Sequence, residues 1–478
     1  MSPRSTIIKI FKYLIAFLIP AIAVILIDPQ LDNDSWGVIA EGRYIVENGL
    51  YSHDPLSIHN TPIVVPNYAF AVCFYLIHSV FGAPGIYLTM LLLNFIICFL
   101  LYKICLILSK KNINLSLIIM LVTDLFLAAN FVVTRAQMVT FVIFLSLIYV
   151  LELYISTNKS KYLWWLPLFS LIQINFHASY WWVLIVTMLP YIIDSFRDSN
   201  LHLQGYRTKP LIFAFLGMLA VCPLNPYGFN MIISIFTVYF NSNLNSTVRE
   251  LQPFRTFAGL NPVYYLAIFI TSFLYLFGPK KHLRIRFFLM YFGFLALGLN
   301  TIKALSQFIL VMFFPLASSY QKSHPQIIYH PSVRHAFISW AGVLSICLFA
   351  TLLFIEVFHV QNYPNLSFVA VMDSLDASTA NTDKSNLKIY TDYDSGGYVQ
   401  YRGYKTYLDP RGDTTITKEW VDFNKGKITP QELFDKYHFD YLLVRKEEDP
   451  FYQASNLGCQ KIYEDVASTT LLYNCQSD

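Results

Sequence analysis

Charge is scarce in this chain. Asp, Glu, Lys and Arg make up 13% of its 478 residues, against about 25% in soluble domains, which excludes an ordinary solvated globule. The charge present nearly balances, at a formal +4. Most Lys and Arg lie in short loops between apolar runs, where they report topology and give no nucleic-acid surface. The seven cysteines form no CxxC pair and no zinc spacing, which excludes zinc ribbons and dithiol redox motifs. Cys73, Cys98, Cys105, Cys222 and Cys347 sit in apolar runs, where cysteine packs as a small hydrophobe. Internal repeats and low-complexity tracts are absent. No small-x-small cleavage site precedes Asp28-Pro29, so residues 7–27 read as an uncleaved first transmembrane helix rather than a signal peptide.

What the chain has in abundance is apolar length. It is 55% hydrophobic and 17% aromatic, and residues 84–102 (PGIYLTMLLLNFIICFLLY) hold no charge at all. Apolar runs set against basic loops predict about eleven spans. They fall near residues 7–27, 84–109, 113–131, 136–156, 161–175, 178–195, 209–226, 262–278, 284–300, 303–320 and 334–358. Residues 67–82 (NYAFAVCFYLIHSVFG) are too short to cross comfortably and read as an interfacial helix. With that segment not crossing, the basic loops fall on one side, the cytoplasm, together with the N-terminus. The chain is then a multi-pass protein of the cell (plasma or inner) membrane.

Beyond residue 358 the composition turns polar. Residues 359–386 form a linker, and 387–478 a small extracytoplasmic α/β domain. Its strands are LKIYT, KTYLD, YLLV, KIYE and TLLYN, and its helices KEWVDFNKG and PQELFDKY. Residues 1–358 form the transmembrane domain.

Polar residues gather at the outer ends of the spans. The first outer loop carries Asp32, Asp34, Glu41, Arg43, Glu47 and Asp54; a helix from Val38 to Glu47 would leave Glu41 and Glu47 in solvent. Later outer turns supply Arg135 and Gln137, Asn175 and His177, the LNPYG turn with Arg249 and Glu250, and Lys303 with Gln307. Each alone fits a snorkelling or structural side chain. Together they run against the positive-inside bias, and an anionic ligand such as a lipid phosphate would favour them through charge-assisted hydrogen bonds. Carboxylates beside such a cationic set can act as general base or metal ligand.

At these residues the sequence resembles the integral-membrane GT-C-type glycosyltransferases, which include the protein O-mannosyltransferases and lipid A aminoarabinose transferases. The motifs are Asp34, Trp36, Gly42 and Arg43, then Asp54, Pro55 and Ser57. Further along come Arg135 with Gln137, Asn175 with His177, Leu224 to Gly228 with Tyr227 among them, and Glu250. A C-terminal Gly396-Gly397-Tyr398 precedes Asp409 and Arg411. Gly37, Val38, Pro66, Asn67 and Tyr68 stand where the family has Trp, His and a His-Glu-Trp triplet. The resemblance implies a first-loop aspartate at the catalytic centre, interfacial helices in that loop and a polyprenyl-phosphate-linked sugar as donor.

The combined expectation is an α-helical polytopic membrane glycosyltransferase with a small C-terminal α/β domain. Asp34 is the expected general base, with Asp32 as second choice. Arg135, His177, Arg249 and Lys303 would bind the lipid phosphate, and Arg43, Gln137, Asn175 and Tyr227 would line the substrate site. Glu250 would orient the acceptor or a divalent cation, the one candidate cofactor; no metal ligands are assigned. Partners are the lipid-linked sugar, membrane lipids and a cell-envelope glycan, lipid or protein acceptor, and no nucleic acid. Alternatives are a non-catalytic carrier or transporter of lipid-linked glycans, or a glycan polymerase or ligase. Arg411-Gly412-Asp413 reads as a plain turn, and Gly396-Gly397 as a tight turn needing positive φ. Finally, a hairpin around Ala467 sets Cys459 opposite Cys475, predicting a disulfide outside the cytoplasm worth about 3 kcal/mol at most.

Overall fold

The computed structural model describes residues 13, 16–18, 20, 21, 31–200, 206–254, 261–277, 284–319, 366–412, 416–445, 449–465 and 470–475. The span expected at 334–358 lies outside the described residues, as does most of that at 7–27. Helices dominate: α1 (Asn33–Asn48), α2 (Tyr68–Leu108), α3 (Ile113–Ala128), α4 (Gln137–Thr157), α5 (Trp165–Phe176), α6 (Trp181–Asn200), α7 (Thr208–Ala220), α8 (Phe229–Tyr239), α9 (Asn261–Phe277), α10 (Ile285–Asn300), α11 (Ile302–Val311), α12 (Leu366–Ser378), α13 (Gly396–Tyr401), α14 (Lys418–Asn424) and α15 (Pro430–Tyr437). The chain divides into two units, residues 1–29, 87–232 and 249–359, and residues 30–86, 233–248 and 360–478.

The protein is a membrane protein by the length and composition of its helices. Among the described residues, Tyr68–Leu108, Gln137–Thr157, Ala178–Phe196 and Ile302–Ser319 are long and apolar enough to cross a bilayer. Five shorter apolar helices accompany them, of which Phe229–Tyr239 has no counterpart among the expected spans. The first of the long helices holds two segments, because Gly82 leaves helical geometry at φ 64° and ψ −161°. The break falls where the sequence separates the interfacial run from the following span.

In the first unit, outward faces are apolar. Phe269, Phe273 and Phe277 on α9 are exposed, a surface water would penalise and lipid accepts. Inside it lies a buried ionic group that the sequence reading did not single out. Arg286 meets Glu152 through two hydrogen bonds of 3.1 and 3.0 Å and Asp194 through one of 2.9 Å. The Tyr191 hydroxyl donates to Glu152 at 3.0 Å, and Arg284 stands 3.9 Å from Asp194. Two cations and two carboxylates balance, as burial in an apolar setting requires.

In the second unit all five expected strands form. They are β1 (Lys388–Tyr390), β2 (Lys405–Thr406), β3 (Tyr441–Val444), β4 (Gln460–Asp465) and β5 (Thr470–Asn474), in the order β2-β1-β3-β5-β4. β1 runs parallel to β2 and β3, while β5 is antiparallel to β3 and β4. Leu442, Val444, Phe423, Leu433, Phe439 and Phe451 fill the core beneath. Thr429 and Glu432 close a capping box at the start of α15, with Pro430 in its first turn. Cys459 and Cys475 are joined as a disulfide, with Cα atoms 4.3 Å apart. The adjoining pairs Gln460↔Asn474 and Lys461↔Tyr473 keep the expected register, and a bulge shifts it beyond Lys461.

The first loop belongs to this unit. Ser57 bridges Thr406 in parallel, Thr406 N–H donates to Leu56 O at 3.1 Å and Ile58 N–H to Thr406 O at 3.1 Å. Residues 56–58 thus extend the sheet past β2. A Cβ at Gly397 would fall 2.1 Å from Asn33 O, and one at Gly396 2.1 Å from Leu408 O. This corrects the expectation of a positive-φ turn: both glycines are helical residues of α13, and what excludes a side chain is neighbouring backbone.

Candidate functional site

The candidate residues divide between the two units. In the second, Asp32 caps α1: its carboxylate accepts from Ser35 N–H at 2.8 Å and from the Ser35 hydroxyl at 2.5 Å. Asp34 stands in the first turn of α1, half-buried, where a negative charge complements the helix dipole. Arg43, nine residues on, reaches Gln400 O at 3.5 Å and lies 5.7 Å from the Tyr401 ring centre. Trp36 is buried in an aromatic group with Tyr398, Tyr401 and His78.

Glu41 departs from expectation. It is 2% exposed rather than solvated, accepts a hydrogen bond of 2.9 Å from Tyr51 and stands 3.8 Å from Arg411. Glu47 is exposed as expected. Arg411 is likewise more than a turn residue. It pairs with Asp409 through contacts of 2.6 and 3.1 Å and with Asp54 at 2.8 Å, both carboxylates being fully buried.

In the first unit the remaining candidates converge from several helix ends. Arg135, just before α4, forms a 2.5 Å salt bridge with Glu250. The short turn holding Arg249 and Glu250 is tied to α11, since Ile302 N–H donates to Gln252 O at 3.0 Å. On α11, Ser306 hydrogen-bonds Lys303 O at 3.0 Å and accepts from Gln137 at 3.2 Å. Lys303 Nζ lies 5.4 Å from the centre of the Tyr180 ring, whose other neighbour is His177 at 4.8 Å. Arg249 is exposed.

His177 sits in the turn between α5 and α6 with its ring engaged. Nδ1 lies 2.8 Å from the Thr140 hydroxyl, which receives a 3.0 Å bond from Gln173. The ring also hydrogen-bonds Ala136 O, a carbonyl that can only accept; with the neutral ring's single N–H donated there, Nδ1 accepts from the Thr140 hydroxyl. Burial first, and then the charge of Lys303, push the imidazolium down to about 3, so the ring is neutral. Asn175 donates to Leu171 O at 2.7 Å and to Leu224 O at 3.1 Å, pinning α5 to the LNPYG turn. In that turn Tyr227 N–H donates to Asn225 Oδ1 at 2.9 Å, and Gly228 takes φ 56°.

Thr140, Gln173 and Ser306 join this group although the sequence reading passed over them. Helical spacing carried the signal: Thr140 follows Gln137 by three residues and Gln173 precedes His177 by four, so each shares a face with a flagged residue. Among the described residues, no group of three or more His, Cys, Asp or Glu could hold a metal ion. With Glu250 engaged by Arg135, the residues present do not fit the divalent cation entertained for this position.

No protein-family model and no curated protein matches the sequence. Among solved structures, the chain is similar to the Archaeoglobus fulgidus oligosaccharyltransferase, crystallised as a complex with zinc and sulfate. The TM-score is 0.51 at 11% identity, over 97% of this chain and 73% of that one. The likeness is one of fold.

Proposed function

We propose that the protein is a membrane glycosyltransferase that moves a sugar from a polyprenyl-phosphate carrier to an acceptor at the outer membrane face. The observation that carries this reading is the convergence of Arg135, Gln137, Lys303 and Glu250 at linked helix ends in a unit whose outer faces are apolar. Cations are costly there, and a lipid phosphate is the anion a membrane supplies. The shared fold with an oligosaccharyltransferase supports the same class of chemistry by analogy.

In this reading the acceptor hydroxyl attacks the anomeric carbon, a carboxylate takes its proton, and the bond from that carbon to the phosphate oxygen breaks; Asp34 is the carboxylate proposed for that role. Arg135 and Lys303 take the charge that develops on the departing phosphate, with Arg249 steering the headgroup from its exposed position. Glu250 holds Arg135 until the phosphate competes for it. His177, being neutral and hydrogen-bonded, orders Thr140, Gln173 and the α5–α6 turn instead of carrying charge. Asp32 supports Asp34 by capping α1.

Asp34→Asn is expected to abolish transfer from a polyprenyl-phosphate sugar in proteoliposomes while donor binding persists. Arg135→Ala is expected to weaken donor binding itself. Full turnover by Asp34→Asn would remove that carboxylate from the reaction. Binding without turnover by the unaltered protein, across a set of lipid-linked sugars and acceptors, would instead indicate a carrier.

A further inference from the structure

α4 carries polar groups at both ends, and the proposed transfer reaction uses only one. Arg135 and Gln137 stand at its start, and its 21 residues then cover about 30 Å, the hydrocarbon thickness of a bilayer. The far end of α4 therefore lies at the opposite membrane surface. There Lys159 and Lys161 enter the short turn before α5. The Tyr154 hydroxyl, in the last turn of α4, donates to Arg207 O at 2.7 Å, just ahead of α7, and Lys209 follows in the first turn of α7. All four cations are exposed. Glu152 and Asp194, on α4 and α6, do not answer that charge, because both are buried and taken up by Arg286.

Large apolar side chains stand open beside these cations at a matched height. Trp164 is 82% exposed and Trp165 53%. The Ser170 hydroxyl donates to Met218 O at 2.8 Å, which sets the register of α5 against α7. Both helices begin at this end, and five residues back from that contact lie Trp165 on one and Phe213, 73% exposed, on the other. Lys209, four residues before Phe213 and on the same face, stands about 6 Å nearer the helix end. Leu216 continues that exposed face inward.

Cation, aromatic ring and aliphatic chain thus follow one another inward from the helix ends, which is the order of headgroup, interface and hydrocarbon in a lipid leaflet. Water penalises indoles left this open, whereas the interface takes the ring and leaves its N–H wet. The unanswered positive charge selects which lipid. We propose that Lys159, Lys161, Arg207 and Lys209, with Trp164 and Trp165, form a binding surface for anionic phospholipid headgroups in the leaflet opposite the candidate site. The cations draw in the headgroup and the indoles anchor the surface below it. Bound lipid fixes the depth of α4 in the membrane, and with it the height of Arg135 and Gln137 at the other face.

Native mass spectrometry of the full-length protein in detergent, titrated with phosphatidylglycerol or phosphatidylcholine, tests this. The parent is expected to bind phosphatidylglycerol several-fold more tightly. Lys159→Gln/Lys161→Gln and Arg207→Gln/Lys209→Gln should each weaken that binding by about fivefold or more and leave phosphatidylcholine little changed. The substituted side chains are exposed, so both variants are expected to fold, as thermal unfolding checks. Lys110→Gln/Lys111→Gln removes two exposed cations from the turn between α2 and α3 and should keep the preference. Trp164→Ala/Trp165→Ala should weaken both lipids alike; binding unaltered there would overturn the part given to the indoles. Equal binding of the two lipids by the parent, a preference that survives both proposed pairs, or an equal loss in Lys110→Gln/Lys111→Gln would overturn the proposal. Dimers that disappear in the same variants would overturn it in favour of a second copy of the chain on this surface.

Discussion

Arg411 and Asp54, separated by 357 positions, meet through contacts of 2.8 Å from both guanidinium nitrogens. Asp409 takes the other side of the guanidinium, and Glu41 on α1 approaches from 3.8 Å. This group joins the first loop to the C-terminal sheet in one unit, beside the strand-like pairing of residues 56–58 with Thr406. Removing the Arg411 guanidinium takes a cation away from among three buried carboxylates, which costs about 3–5 kcal/mol. Arg411→Met is therefore expected to lower the unfolding temperature sharply. A variant unfolding within about 1 kcal/mol of the parent would show that the group is not structural.

The same cluster predicts a pH dependence. Burial raises the Asp409 carboxyl, but the charge and hydrogen bonds of Arg411, with the Gln400 amide, outweigh it and hold the group below its ordinary 3.8. A carboxylate lowered on folding stabilises fully above its unfolded value near 4 and loses that contribution as pH falls through the folded value. The stability gap between the parent and Asp409→Asn should thus be widest near neutral pH and narrow below about pH 4. Thermal melts across that range would show it; a gap that widens on acidification would contradict the assigned direction.

Short runs rich in β-formers between helix-like stretches announced each of the five strands, and apolar length announced the membrane helices. The hairpin register brought out Cys459 and Cys475 for the same reason, since strand pairing is arithmetic once the turn is placed. What could not be read was long-range. Asp54, Arg411, Glu152, Asp194 and Arg286 each look like solvated charges within their own windows, and only the fold shows them buried against one another. The site fared in between: helix-end polar residues were visible singly, whereas the pairing of Arg135 with Glu250 and the neutral state of His177 depend on neighbours distant in sequence.

The Arg286 group makes a separate claim about the first unit. Arg286→Leu alone strands Glu152 and Asp194 in an apolar setting and is expected to destabilise by about 3–5 kcal/mol. Replacing all three residues by apolar ones of similar volume removes the buried charges together, leaves Arg284 with its partly exposed side chain, and should recover much of that loss. Detergent-solubilised melting temperatures of the single and triple variants would test it. A triple variant as unstable as the single one would mean that the charges do more than neutralise each other.

The last expectation concerns three glycines of apparently similar kind. A Cβ at Gly42 would fall 2.0 Å from Ala71 O, where α1 crosses the first segment of α2, and a Cβ at Gly397 would fall 2.1 Å from Asn33 O. Backbone oxygens cannot swing aside as a side-chain tip can, so Gly42→Ala and Gly397→Ala must each push two backbone segments apart. Both variants are expected to lose folded protein, seen as aggregation on size-exclusion chromatography. Gly293, in α10, has nothing within 4 Å of the same position, and alanine there gains helix propensity of roughly 0.5–1 kcal/mol. Gly293→Ala should then elute as the parent does and melt no lower. If all three variants behaved alike, steric exclusion by backbone would not be the reason for the glycines at 42 and 397.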